Sequence, residues 1–129
     1  MSSNRTTLGV ANEALTAYRF VEVNSSAEKI DMADSAGAKA LGVVTAGHAA
    51  DAPCEVTVEG FVLVDFGEAA EAFDDITTDA NGKAILADTT GHNILGYYCP
   101  EPVDGAMADI ASGARGRIYL YGNKNVLVP

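Results

Sequence analysis

Tryptophan is absent from this chain, and cysteine, histidine and proline are scarce, with two, two and four copies in 129 residues. Cys54 and Cys99 are too few and too far apart for a disulfide framework. Both lie in strand-like apolar surroundings where a thiol serves as a small hydrophobe, so buried free thiols are expected. Basic residues are also short: eight Lys and Arg stand against eighteen Asp and Glu, for a net charge of −10. Such a charge repels phosphates and anionic headgroups, which argues against DNA, RNA and membranes as partners. No long apolar run is present, and Met1 to Val10 holds a single Arg5 and nothing of signal-peptide length. The expectation is a soluble product of the cytoplasm.

The groups that catalysis and metal binding need are equally thin. His48 sits between Gly47 and Ala49 and His92 between Gly91 and Asn93, each in a loop-like context with no second His or Cys at ligand spacing. Ser2, Ser3, Ser25 and Ser26 fall in polar stretches with no nucleophile-elbow pattern. Gly42, Gly47 and Gly60 make no phosphate loop. Asp74, Asp75, Asp79, Asn81 and Gly82 invite a calcium reading, because hard cations want several oxygens on one tight loop. Thr77, however, stands where an EF-hand has its first Asp and Asp88 where it has its closing Glu, so a hairpin turn explains these residues better. No catalytic, cofactor-binding or metal-ligating residue is assigned, and no cofactor is expected.

What the chain does have is hydrophobic residues, 48% of the total, with Ala and Val dominant. Small and β-branched side chains suit a thin sandwich or small barrel. The recurring period is two. Tyr18, Phe20, Val21 and Val23 read as a strand, with a polar turn over Asn24 to Ala27 and a hairpin partner at Lys29 to Met32. Leu41 to Ala46, Cys54 to Val58 and Phe61 to Phe66 read as further strands, with Gly60 permitting a turn or bulge. Asp79, Ala80, Asn81 and Gly82 form a tight turn between arms at Ile76 to Thr78 and Lys83 to Leu86. Ile94 to Cys99 and Arg115 to Tyr121 close the series, the last with Ile118 and Leu120 on one face and Tyr119 and Tyr121 on the other. Gly67 to Phe73 and Asp104 to Ser112 read as short helical turns. The expectation is therefore all-β: a small sandwich or barrel of about 8–10 short strands with at most one or two helical turns. Residues 1–17 would be a partly extended arm, 18–121 a single β domain and 122–129 a tail. Ala40-Leu41-Gly42-Val43-Val44 echoes Asn93-Ile94-Leu95-Gly96-Tyr97-Tyr98, which suggests two halves built on one strand plan.

In the order of these features the chain resembles the small capsid decoration or cement proteins of tailed phages. The resemblance runs from about Gly9 to Tyr121 and rests on Ala14-Leu15-Thr16-Ala17 before the Phe20 strand, the two Leu-Gly strands, and Thr77-Thr78-Asp79-Ala80-Asn81-Gly82-Lys83-Ala84. It departs from the family at Asp74-Asp75, where a Gly-Asp pair is usual, and in the length of the loop from Glu101 to Ala114. The resemblance implies a non-enzymatic virion protein on the outer capsid surface that stabilises the shell. Its implied partners are the major capsid protein and further copies of itself, a trimer being favoured. Thr6, Thr7, Leu8 and Val10 in the N-terminal segment are then the candidate capsid contacts, ordering as a strand on the shell, against the alternative of a frayed terminus. A small binding or swivelling domain detached from a larger enzyme is the rival, although Lys83 lacks the flanks of a carrier lysine.

Overall fold

Period-two alternation becomes strand at nearly every place where it occurs. The computed structural model describes residues 4–121 and the backbone of Val126–Leu127; Met1 to Ser3 and the rest of the 122–129 tail lie outside the described residues. In chain order the strands are β1 (Arg5–Val10), β2 (Arg19–Val23), β3 (Ile30–Met32), β4 (Gly42–Val44), β5 (Pro53–Asp65), β6 (Asp75–Thr78), β7 (Ala84–Leu86), β8 (Asn93–Ile94), β9 (Gly96–Tyr98), β10 (Arg115–Leu120) and β11 (Val126–Leu127). No helix occurs among the described residues. The fold is all-β, a curled antiparallel sheet in the order β3-β2-β4-β5-β10-β9-β6-β7 with β1 added on β5, and a separate β8–β11 ladder. β5 is one strand of 13 residues where the sequence suggested two. Gly60 bends it in mid-course with φ of 111°, a region essentially closed to residues with a Cβ.

Both stretches that read as helical turns are loops. In Gly67 to Phe73 only Ala70 is buried, and its N–H and C=O exchange hydrogen bonds with Ile110. Asp104 and Gly105 both have positive φ, in a turn closed by Val103 and Ala106. Alanines this small bury too little surface to nucleate a helix against competing cross-chain pairing.

The echo between the two Leu-Gly strands marks a structural duplication. The first unit is β1, β2, β3, β4 and the first half of β5. The second is the other half of β5 with β6, β7, β9 and β10. In each, a hairpin (β2–β3, β6–β7) pairs with a Leu-Gly strand (β4, β9), and that strand pairs with a long one (β5, β10). The long strand pairs with the unit's opening strand, and a parallel bridge just past the opening strand closes the curl, Ala11 to Ile30 in one unit and Phe66 to Ala84 in the other. Local details repeat as well. The Met32 amide donates to the Glu13 carboxylate at 2.9 Å, and the Leu86 amide to that of Glu68 at 2.9 Å. Tyr18 and Phe73 share the left-handed region at φ of 64° and 70°, and their amides donate to Val44 and Tyr98 carbonyls, each at 2.7 Å. A Cβ on Gly42 would lie 2.0 Å from the Thr57 carbonyl oxygen, and one on Gly96 equally near that of Tyr119. The glycine of each Leu-Gly strand is thus what allows the next strand to pack so closely.

Each unit has its own core. Ala11, Leu15, Val21, Ile30, Val44, Cys54, Val56 and Val58 fill the first; Val62, Val64, Phe66, Ile76, Ala84, Leu95, Tyr98, Ile118 and Leu120 fill the second. Cys54 and Cys99 are buried and unpaired, as expected, and burial pushes the Cys54 thiol up. The outer face of the first unit also packs against the second, through Phe20, Ala33 and Val43. There the turn after β6 presses on β2: the Phe20 amide donates to the Gly82 carbonyl at 2.7 Å, and Gly82 has φ of 77°.

Candidate functional site

The N-terminal segment is the first candidate, and it is extended. β1 lies antiparallel along β5 of its own chain, with Thr6 opposite Thr57, Thr7 opposite Val56, Leu8 opposite Glu55 and Val10 opposite Pro53. Before it, the Asn4 amide group brackets Phe61, donating to its carbonyl and accepting from its N–H at 3.1 Å. Thr6, Thr7, Leu8 and Val10 all point to solvent, Leu8 at 80% exposure. Backbone pairing therefore holds this strand more than side-chain burial does. Its only strand partner among the described residues is β5; its other side meets Ile30 through the bridge at Ala11, while along Arg5–Val10 no described strand pairs with that side.

The second candidate is an aromatic face, of which strand alternation in the sequence marks only Tyr119 and Tyr121. The core takes just Phe20, Phe66 and Tyr98 of the nine aromatic residues in the chain. On the outer face of β5, β10 and β9, Phe61, Tyr119 and Tyr97 stand at cross-strand positions. Their rings form a row: Phe61 to Tyr119 at 5.1 Å, Tyr119 to Tyr97 at 5.6 Å, and Tyr97 to Phe73 at 6.1 Å, with Tyr121 5.9 Å from Tyr97. Arg117 lies 4.4 Å over Phe61, and Arg115 lies 3.7 Å over Tyr18. Both arginines are also paired, Arg115 with Asp65 at 2.7 Å and Arg117 with Glu101 at 3.5 Å. Burial, then Asp75, then Tyr97 push the Tyr121 hydroxyl above its usual range.

Among the described residues no three His, Cys, Asp or Glu side chains come together as a metal site. The Asp79 carboxylate accepts the Asn81 and Lys83 amides at 2.8 and 2.9 Å, so it builds the turn, while that of Asp74 accepts the Glu71 amide at 2.8 Å. His48 exchanges backbone hydrogen bonds with Leu15, and His92 packs its ring against Gly37. A shallow groove of about 450 Å³ is lined by Asn4, Tyr18, Thr57, Phe61, Glu101 and Arg117.

No family model matches the sequence, and no curated protein does. Among solved structures, the chain is similar to the N base of the head fiber gp8.5 of bacteriophage phi29. The match has a TM-score of 0.67 at 15% identity, over 92% of this chain and 94% of that one. At so low an identity the likeness is one of fold, and it spans both units.

Proposed function

We propose that this chain is a non-enzymatic structural protein of a phage virion, seated on the outside of the capsid and stabilising the shell. The observation that carries this reading is the likeness, nearly end to end, to the base of a phage head fiber. The decoration-protein resemblance points the same way. In this reading the partners are the major capsid protein and further copies of the chain, a trimer being the expected assembly. The acidic surface turns away from packaged DNA. Thr6, Thr7, Leu8 and Val10 meet the capsid, with a capsid strand adding to the open edge of β1 and Leu8 seated in an apolar pocket. Many copies then act together, because symmetry turns a weak single contact into high occupancy.

Co-sedimentation of the purified chain with expanded, undecorated capsids tests this. Binding should saturate at a fixed ratio to capsid subunits, and Leu8→Asp should weaken it by about 10-fold, since it places a charge in an apolar contact. A wild-type chain that stays in the supernatant with every capsid form offered would end the reading.

A further inference from the structure

The duplication places the same face in the chain twice, and only one version of it is covered. On the first unit the outward positions Phe20, Val43 and Thr57 have exposures of 0%, 0% and 9%. Phe20 and Val43 are buried because the second unit packs on them, sharing one apolar cluster with Val62, Ile76 and Leu95. The positions that answer to these three on the second unit are Asp75, Tyr97 and Tyr119. Their strands pair the same way, and each precedes or follows an equivalent inward residue (Val21 and Ile76, Val44 and Tyr98, Val56 and Ile118). Here the face stays open to solvent. Asp75 is exposed, Tyr97 and Tyr119 are only partly buried, and Phe73 at the end of the row is 60% exposed.

We propose that a second copy of this chain covers this aromatic face, extending between molecules the unit-on-unit packing that already exists within one. Three features choose a like copy over another occupant. The first is continuity: the covered version of the face shows that a unit of this fold is what packs there. The second is charge. Two chains of −10 repel over most of their surfaces. On this face Arg115 and Arg117 are ion-paired with Asp65 and Glu101, so part of its charge is balanced and identical molecules meet here at reduced electrostatic cost. A partner selected by opposite charge would choose the acidic remainder of the surface. The third is composition, since Tyr, Phe and Arg are the residues that dominate the energetic centres of protein interfaces. The contact joins the second unit of one chain to a different surface of the next. It is therefore head-to-tail, and contacts of that kind close into rings when the rotation permits. The inference deepens the self-association in the reading above and stands apart from its capsid-binding part.

Sedimentation velocity on the full chain is the test, over about 1–100 μM, where an interface of ordinary size at the weak end of the range is partly formed. The wild type should reach a mass that is a multiple of 13.3 kDa. Tyr97→Ser and Tyr119→Ser should each weaken assembly by about 10-fold or more, as loss of a buried interface tyrosine does. Circular dichroism and a cooperative urea transition establish that each variant is folded. Phe73→Ser, in an exposed loop position, replaces either tyrosine variant that is not. A wild type that is monomeric throughout overturns the inference, as does an oligomer that Tyr97→Ser, Tyr119→Ser and Phe73→Ser leave intact. Variants that still assemble but no longer bind capsids would assign the face to the capsid protein instead, and that too overturns it. Self-association without capsid binding would sustain this inference while ending the earlier one.

Discussion

Replacing Gly60 by alanine should destabilise the chain through two separable causes, both visible at the bend of β5. At φ of 111° a Cβ is strained, which costs about 1–3 kcal/mol. The added Cβ would also lie 2.2 Å from the Asn4 side-chain oxygen, forcing Asn4 off Phe61. Asn4 is exposed, so its two hydrogen bonds are worth about 0.5–1 kcal/mol each at the low end of the usual range. Together the expected loss is about 2–5 kcal/mol, a large share of the stability of a chain this size. Urea denaturation of the wild type, Gly60→Ala, Asn4→Ala and the double variant separates the causes. Once Gly60→Ala has displaced the Asn4 side chain, removing that side chain should cost almost nothing further. The double variant should then match Gly60→Ala and fall short of the sum of the singles by roughly the Asn4 effect. A Gly60→Ala midpoint within error of wild type would refute the account of the bend. Additive losses would refute the coupling to Asn4.

Three further outcomes follow from the same structure. Phe66→Ala empties the centre of the second core, where Phe66 is 0% exposed and meets Tyr98 edge-on at 5.2 Å; it should cost about 3–5 kcal/mol in urea unfolding. Asp79→Ala removes the acceptor of the Asn81 and Lys83 amides and should cost about 1–2 kcal/mol, read as a lower unfolding midpoint, whether or not calcium is added. Glu22 lies opposite Asp31 across β2–β3, and burial, then Asp34, then Asp31 raise it above its ordinary value of 4.5. The folded chain thus holds this proton more tightly than the unfolded one. The group's favourable contribution is complete below pH 4.5 and is lost as pH rises through the raised folded value. Glu22→Gln should therefore raise the melting temperature at neutral pH, and the gain should vanish below about pH 4.5; a gain that grows with acidity would contradict this sign.

Much of the strand plan was legible because alternation and turn chemistry are local. The β2–β3 and β6–β7 hairpins and the inward Ile118 and Leu120 follow from side-chain period and from Asn, Asp and Gly at the turns. A β8–β11 ladder of two residues per strand is too short for any periodic signal. The loop at Gly67 to Phe73 misled because its alanines and glutamates favour helix, and only pairing with Ile110 overrides that preference. The duplication left a trace that could have been found: Glu13-Ala14 and Ala17-Tyr18 answer to Glu68-Ala69 and Ala72-Phe73 at the same spacing. The Leu-Gly echo was its other half. As for the candidate site, the arm residues could be named from sequence, but not that they lie on β5 of their own chain.

The amino-acid sequence by itself determined the all-β class, the turns and the acidic charge, since each depends on composition or on residues near one another in the chain. Only the tertiary structure decided that Gly60 bends one long strand between two units, that Gly42 and Gly96 admit a neighbouring backbone, and that six of nine aromatics lie outside the core. Those outcomes depend on which strand lies beside which. Pairing between residues dozens of positions apart is set by the summed packing of both cores, and no single segment encodes it.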